Sequence, residues 1–326
     1  MVAVVIPSYK VKAHILKVIS GIGPEVGLIY VVDDCCPEKS GDFVKANCSD
    51  PRVKVLYHQK NQGVGGATMT GYKQALTDNA SIVVKLDGDG QMDSSLIHRL
   101  IEPLKSAQAD YVKGNRFYDL AFLRQMPFLR KLGNSGVSFM NKAASGYWNI
   151  MDPSNGFTAI HRNALESLPL DRIDKRFFFE SDMLFRLNTI RAVVAEMPMR
   201  AVYGDEKSNL KVHRIVLQFP GKYLHRMIKR VFYNYYLRDF NIGSLELIIG
   251  FVFTIFGVFF GAYKWSESII TSHPATAGTV ILAGLPVILG FQSLIAFLHF
   301  DVANVPQKPL AEMGLGIGDW GLGIRD

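Results

Sequence analysis

Two carboxylates one residue apart follow an apolar run and alternate with glycines. Asp87 and Asp89 belong to Lys85-Leu86-Asp87-Gly88-Asp89-Gly90-Gln91, directly after Ser81-Ile82-Val83-Val84. Carboxylates at this spacing on an extended loop can share one divalent cation, and glycines let the backbone approach a diphosphate closely. The pattern indicates a metal and diphosphate site at the rim of a sheet, and a solvated turn after a strand is the alternative.

Short runs rich in β-branched residues alternate with helical patterns from Val2 to about Ala109. We predict strands at Ala3–Ile6, Leu28–Val32, Val53–Leu56, Ile82–Leu86 and Tyr111–Val112. This alternation is typical of a doubly wound α/β domain, a mostly parallel sheet covered by helices. Ligands in such sheets bind beyond the carboxyl ends of the strands. The residues to consider are therefore those that follow each strand: Pro7-Ser8-Tyr9, Asp33-Asp34, the run from His58 to Gly63, and the run from Asp87 to Gln91.

Two nucleotide-binding signatures are missing from the sequence. No Gly-x-Gly-x-x-Gly follows the first strand, and no Gly-x-x-x-x-Gly-Lys-Ser/Thr occurs in the chain. Dinucleotide oxidoreductases and P-loop proteins are therefore disfavoured. The run Gly63-Val64-Gly65-Gly66 is either a phosphate cradle or a flexible turn into the next helix.

Four motifs occur in a fixed order along this half of the chain. They are Val4-Val5-Ile6-Pro7-Ser8-Tyr9, Val31-Val32-Asp33-Asp34, Asn61-Gln62-Gly63-Val64-Gly65-Gly66-Ala67 and Asp87-Gly88-Asp89-Gly90-Gln91. Together they resemble the motifs of family 2 glycosyltransferases with the GT-A fold, a Rossmann-like, mostly parallel sheet. Four motifs in order are far more specific than any one of them.

The resemblance implies a nucleotide-sugar donor and a bound Mg²⁺ or Mn²⁺. The expected metal and diphosphate residues are Asp87, Asp89 and Gln91, and Asp34 with Asp33 is expected to contact the nucleobase and ribose. The full set of expected donor-binding residues is Pro7, Tyr9, Asp33, Asp34, Lys60, Gly63, Asp87, Gln91 and Lys211. The run Cys35-Cys36-Pro37 departs from the small polar residues usual in the family, which puts the local shape of the nucleotide pocket in doubt.

Two further motifs resemble the branch that uses polyprenyl phosphate acceptors, typified by dolichol-phosphate-mannose synthase and bacterial bactoprenyl glucosyltransferases. They are Gly114-Asn115-Arg116-Phe117 and Asp152-Pro153-Ser154-Asn155-Gly156-Phe157. The resemblance implies that Arg116 grips the lipid phosphate, with Arg130 and Ser135 as a second grip. The planar fork of arginine can bind two phosphate oxygens at once. For each arginine, an exposed surface charge is the alternative.

Glu180 and Asp182 stand between aromatic runs in Phe177-Phe178-Phe179-Glu180-Ser181-Asp182. The resemblance implies that both accept hydrogen bonds from donor-sugar hydroxyls, and the alternative is an acid pair favoured by a helix N-terminus. The expected catalytic residues are Asp89, Arg116, Glu180 and Asp182. A phosphate nucleophile is already anionic at neutral pH, so we expect no catalytic base.

The positive charge of the chain is local. The net charge is +7, but eight Lys and Arg and no Asp or Glu lie between Lys207 and Arg238. We therefore expect anionic membrane lipids, and not a nucleic acid, as the partner of this basic stretch. Three cysteines without a metal-ligand spacing fit a reducing compartment, and the first residues do not resemble a signal peptide.

The C-terminal half contains two uncharged apolar runs. Residues 213–241 combine basic and aromatic side chains, which is typical of amphipathic helices on a bilayer surface. Runs at about 242–263 and 274–298 are long enough to span a membrane as a helical hairpin. We expect a catalytic domain over 1–212 and a short tail over 301–326, both cytoplasmic because the Lys and Arg precede the first run. The apolar faces of the two helices also suit pairing into a homo-oligomer.

These features predict an inverting transferase that moves a sugar, best matched by UDP-glucose, from a nucleotide diphosphate to undecaprenyl or dolichyl phosphate. One alternative is a processive polysaccharide synthase, but the Gln-x-x-Arg-Trp element of that group is missing, since Trp148, Trp265 and Trp320 follow other residues. Another is a non-catalytic membrane scaffold that keeps the GT-A domain. The intact Asp87, Asp89 and Glu180 argue against it.

Overall fold

The computed structural model describes residues 1–118, 128–200 and 212–311, apart from the side chains of residues 129, 130 and 212–217. The chain divides into two compact units. One comprises Met1–Met227 together with the segment from Pro306, and the other comprises Ile228–Val305.

The first unit is built on a seven-stranded sheet. Its strands are β1 Val2–Ser8, β2 Val26–Asp33, β3 Val53–Tyr57, β4 Ile82–Lys85, β5 Tyr111–Asn115, β6 Thr158–His161 and β7 Val194–Pro198, in the order β3-β2-β1-β4-β6-β5-β7. Neighbouring strands are parallel except β6, which runs antiparallel to both β4 and β5. The predicted α/β class and the first five strands are confirmed, whereas the sequence pattern did not reveal β6 and β7.

Helices cover the sheet. Their apolar residues recur at helical spacing, which gives each helix one apolar face that packs on the strands. They are α1 Ile15–Ser20, α2 Ser40–Asn47, α3 Val64–Thr77, α4 Ile97–Lys105, α5 Phe128–Ser145, α6 Arg162–Glu166 and α7 Phe179–Thr189. The core lies between these helices and strands that are buried along their whole length, such as β1 and β4. Strands β2 and β4 flank β1 on opposite sides, so the order in which strands are added to the sheet reverses between β1 and β4. Doubly wound sheets form their ligand crevice at such a point.

The second unit is helical. Helix α8, Val212–Phe232, begins in the first unit and continues into this one, where a π-helical turn, Tyr233–Arg238, follows it. Helices α9, Ile242–Thr271, and α10, Ala277–Ala303, are both long and apolar enough to cross a membrane. Only 11% and 6% of the residues in their most apolar windows are buried, unlike the core helix of a soluble protein.

Glycines let α9 and α10 approach closely. A Cβ on Gly257 would lie 2.6 Å from Val287 Cγ2 and 2.7 Å from the carbonyl oxygen of Ala283. Gly250 packs against Leu294 and Gly290 against Thr254 in the same way. Small residues at such positions are typical of helices that associate in lipid.

We expect Gly257→Ala to lower the stability of the hairpin by about 1–3 kcal/mol, because the new methyl group would overlap backbone atoms of α10. Gly284→Ala is the matched control, since nothing lies within 4 Å of the position of its Cβ. Thermal unfolding of the full chain in detergent measures the difference. Equal midpoints for the two variants would contradict this account of the packing.

Candidate active site

Asp87 and Asp89 lie just beyond β4, at the edge that also holds the carboxyl end of β1. The side chain of Asp87 is 28% exposed, and Asp89 is half-buried with its Oδ1 accepting the N–H of Gln91 at 3.0 Å. Two partly exposed carboxylates therefore stand at the crevice where the strand order changes direction.

The residues at this edge fit a divalent cation that is shared with a substrate. Carboxylate and amide oxygens from Asp87, Asp89 and Gln91 are hard ligands of the kind that Mg²⁺ and Mn²⁺ take. Within the part of the chain that the structure describes, no three His, Cys, Asp or Glu side chains are grouped to hold a metal by themselves. One or two carboxylates completed by substrate phosphates is a usual arrangement for Mg²⁺.

Buried Lys85 lies between Asp87 and Glu180, and a second buried lysine, Lys113, lies on β5. Lys85 Nζ is 2.7 Å from Asp87 Oδ1 and 3.8 Å from Glu180 Oε1, and Lys113 Nζ donates to the carbonyl oxygen of Asn155 at 2.6 Å. The lysine side chains are 1% and 0% exposed, and that of Glu180 is 14% exposed. The predicted Glu180 is thus brought together with Asp87, through Lys85.

Burial and charge act against each other in this group. Burial raises the pKa of Glu180 to about 7, although both lysines act to lower it. Burial lowers the pKa of Lys113 to about 8, opposed by Glu180 and Asp152. Burial alone would also lower the pKa of Lys85, but Asp87 and Glu180 outweigh it and hold the pKa above its usual value.

Sequence reasoning missed both lysines, although a signal was present. Lys85 ends a strand of apolar residues, and Lys113 lies within β5 after Tyr111 and Val112. A charged side chain inside a buried strand needs a partner of opposite charge or a hydrogen bond. Such residues point to a polar cluster at the end of the strand.

Arg116 is held in a fixed orientation by a buried carboxylate. Its Nε and Nη2 donate to the two oxygens of Asp152 at 2.7 and 2.9 Å, and Asp152 is fully buried. Glu196 accepts the backbone N–H groups of Met151 and Asp152 at 2.8 and 2.9 Å. The guanidinium, 28% exposed, is therefore oriented at the end of β5, where the phosphate-gripping residue was predicted.

The other predicted acceptor residues are less well defined. Ser135 is exposed on α5. The side chain of Arg130, on the same helix, and the whole of Lys211 lie outside the described residues. The roles of all three stay predictions.

Asp33 and Asp34 shape the loops of the predicted nucleotide pocket. Asp33 accepts the N–H groups of Cys36 and Gly41 at 2.7 and 2.6 Å. Asp34 accepts those of Gln62 and Gly63, both at 2.7 Å, and its Oδ1 is 2.7 Å from His58 Nδ1. Both aspartates are nearly fully buried, so their oxygens are engaged inside the protein, and contact with a nucleobase stays a prediction.

The glycine-rich run packs against protein backbone. Gly63 has φ of +88°, which favours glycine, and a Cβ on it would lie 2.6 Å from the carbonyl oxygen of Lys175. The N–H of Gly66 donates to that same oxygen at 3.0 Å. The glycines of this run therefore allow close packing at the start of α3. Whether the run also holds a phosphate stays a prediction. Of the other predicted donor residues, Pro7 is buried in β1, while Tyr9 and Lys60 are exposed.

Asp182 is paired with two arginines inside the protein. Asp182 is fully buried on α7, with Arg226 Nε 2.7 Å from its Oδ1 and Arg186 Nε 3.2 Å from its Oδ2. It also accepts the N–H of Asp174 at 2.9 Å. Its oxygens are engaged inside the protein, and contact with a sugar hydroxyl stays a prediction for Asp182, as it does for Glu180.

Several basic residues predicted to meet lipid headgroups are paired within the protein. In the first unit, Arg226 binds Asp182, Lys222 Nζ is 2.5 Å from Asp174 Oδ2, and the hydroxyl of Tyr223 is 2.8 Å from that of Ser181. These contacts fix the early part of α8 against α7. In the second unit, Arg230 is buried and binds both oxygens of Asp301 at 2.6 and 2.9 Å.

Comparison with known proteins identifies the family of the chain. Residues 3–168 match the family described as glycosyl transferase family 2. The chain belongs to glycosyltransferase family 2. It is 28% identical over 243 residues to UDP-N-acetylglucosamine–dolichyl-phosphate N-acetylglucosaminyltransferase of Methanococcus voltae, which covers 70% of this chain and 96% of the relative. It is 30% identical over 176 residues to undecaprenyl-phosphate mannosyltransferase of Micrococcus luteus, covering 53% of this chain and 71% of the relative.

Solved structures share the fold. Glucosyl-3-phosphoglycerate synthase of Mycobacterium tuberculosis, in complex with Mn²⁺, UDP and glucosyl-3-phosphoglycerate, superposes with a TM-score of 0.52 at 16% identity, covering 71% of this chain and 79% of that one. Mannosyl-3-phosphoglycerate synthase of Rubrobacter xylanophilus gives 0.53 at 14% identity, with 74% and 77% covered. These likenesses confirm the predicted GT-A fold.

We expect Asp182→Ala to lower the free energy of unfolding by about 3–5 kcal/mol, because two arginines would lose a buried partner. Asp171→Ala is the control, since Asp171 is 86% exposed and pairs only with the half-exposed Lys73 among the ion pairs of the described residues. Thermal unfolding in detergent compares the two variants. Similar midpoints would show that Asp182 does not anchor α8.

Proposed function

We propose that the protein transfers a sugar from a nucleoside diphosphate to a polyprenyl phosphate, with inversion at the anomeric carbon. One observation carries the proposal: Asp87 and Arg116 contact opposite ends of a single loop, residues 152–156. Asp152 at one end binds Arg116, and Gly156 at the other abuts Asp87 Oδ2. A donor diphosphate and an acceptor phosphate would be held side by side by this arrangement.

The reaction forms one bond and breaks one. An oxygen of the lipid phosphate attacks the anomeric carbon, and the bond from that carbon to the diphosphate breaks, releasing the nucleoside diphosphate. The attacking oxygen is anionic at neutral pH, so positioning replaces a strong general base. A divalent ion held by Asp87, Asp89 and Gln91 would offset the charge of the leaving diphosphate.

The chain's own residues orient the two substrates. Arg116, fixed by Asp152, presents a guanidinium to the acceptor phosphate. Under this proposal Glu180, partly exposed beside Lys85, accepts a hydrogen bond from the donor sugar. Asp33, Asp34 and Gly63 shape the nucleotide pocket.

An assay with a panel of nucleotide sugars would identify the donor. The motif around Arg116 makes UDP-glucose the first donor to test, and the relatives above act with N-acetylglucosamine and mannose. Full-length protein in detergent is given each nucleotide sugar, undecaprenyl or dolichyl phosphate, and Mn²⁺ or Mg²⁺. Labelled sugar in an organic-soluble, mild-acid-labile lipid supports the proposal, whereas label in high polymer favours a processive synthase. Release of no nucleoside diphosphate with any donor favours the scaffold.

We expect Asp89→Asn to reduce sugar transfer about 100-fold or more, because the carboxylate charge beside the leaving diphosphate is lost. Asp93→Asn is the matched control, since it changes the same group four residues away, where Asp93 caps a short helix. A chelator should abolish transfer by the unaltered chain, and added Mn²⁺ or Mg²⁺ should restore it. Full activity of a folded Asp89→Asn protein would exclude its proposed role.

We also propose that α9 and α10 anchor the protein with its first unit in the cytoplasm. The chain leaves that unit after Met227 and returns to it at Pro306, and the N–H of Leu310 donates to Asp110 at 3.0 Å. Two membrane crossings would leave both connections on one side. The basic residues around α8 make that side the cytoplasm by the positive-inside rule.

Thiol labelling in intact cells measures this orientation. Ser272→Cys, between α9 and α10, combined with Cys35→Ser should react with a membrane-impermeant maleimide. The unaltered chain, whose Cys35 is exposed, should react only after the cells are permeabilised. The reverse pattern would place the first unit outside.

A further inference from the structure

Two buried lysines lie on the two strands that flank β6. Lys85 on β4 and Lys113 on β5 are both paired in register with Thr158 on β6. Residues paired in this way point to the same face of a sheet. Thr158 itself is only 2% exposed, so the whole row lies inside the protein.

The lysines hold two different parts of the site. Lys113 Nζ donates to the carbonyl oxygen of Asn155 at 2.6 Å. Lys85 Nζ pairs with Asp87 Oδ1 at 2.7 Å and lies 5.3 Å from the ring centre of Phe179, next to Glu180 on α7. A buried ammonium group is costly without such partners, so both contacts are strongly favoured once the sheet has formed.

The loop of residues 152–156 packs tightly between these two contacts. A Cβ on Gly156 would lie 2.3 Å from Lys85 Nζ and 2.7 Å from Asp87 Oδ2. The preceding residue, Asn155, is the one bound by Lys113. The end of the loop is therefore fixed against the metal-site carboxylate, while its beginning, Asp152, holds Arg116.

We propose that Lys113 and Lys85 are positioning residues that hold the loop of residues 152–156, and with it Arg116, at a set distance from Asp87. This inference depends on the proposed function, since it assigns the loop to spacing the acceptor phosphate from the donor diphosphate. Both lysines are buried, so we assign them a positioning role and not a contact with a substrate.

If the distance between Arg116 and Asp87 changes, water should attack the donor sugar in place of the lipid phosphate. A lipid phosphate that is displaced from the anomeric carbon reacts slowly, whereas water can still reach the carbon and hydrolyse the donor. Small displacements of reacting groups cost large factors in rate. The expected result is a fall in transfer to lipid relative to donor hydrolysis, with nucleotide binding largely kept.

Lys113→Met tests this in the full chain, because methionine is unbranched and only one atom shorter than lysine, and it lacks the charge and the hydrogen bond. We expect the ratio of transfer to hydrolysis to fall roughly tenfold or more, with the dissociation constant for the nucleoside diphosphate changed by less than about threefold. Lys54→Met is the matched control, on strand β3 with a half-exposed side chain. Its ratio should equal that of the unaltered protein.

Gly156→Ala provides a second route to the same displacement without changing a lysine. Its methyl group should push the loop away from Lys85 and Asp87, so the same fall in ratio is expected if Lys113→Met does not fold. A folded Lys113→Met or Gly156→Ala protein with an unchanged ratio would overturn the inference alone. Unaltered protein that consumes no donor would overturn the proposed function, and the inference with it.

Discussion

A buried ammonium group must have partners of opposite charge, and the site is arranged around this requirement at Lys85. Its Nζ lies where β4 ends, within 2.7 Å of Asp87 and 3.8 Å of Glu180. The contact ties the loop after β4 to α7, two elements that are far apart in sequence. A methyl group at Gly156 would lie 2.3 Å from this Nζ, so a larger side chain there would force the loop or the lysine to shift. One cation thus determines how three segments of the chain meet at the crevice.

Local patterns in the sequence were enough to predict the first half of the sheet. Strands β1 to β5 are short apolar runs followed by polar residues, and each was predicted within a few positions. Strand β6 was missed because its four residues, Thr158–His161, form a strand only by pairing with β4 and β5. Such pairing is a tertiary effect that no local pattern records.

The carboxylates show why residue type alone does not define a site. Glu180 and Asp182 are two positions apart on α7, so they lie on different sides of the helix. Glu180 meets the lysines of the sheet, while Asp182 binds Arg226 and holds α8. The sequence predicted the same role for both, because only the packing of α8 distinguishes them. Arg116, in contrast, was placed correctly at the end of β5, since a strand end is a local feature.

The balance of charge around Asp89 links the metal to the substrate. Lys85 and Lys113 offset the charges of Asp87 and Glu180, so the protein supplies little net negative charge to hold a divalent ion alone. An ion bound by Asp89 would add positive charge, which the negative charge of a bound diphosphate would then neutralise. Under the proposed function, the ion and the diphosphate would each bind weakly without the other and tightly together. Breaking the bond to the sugar leaves the ion with a nucleoside diphosphate of higher charge, so the same coupling would favour the departing group over the intact donor.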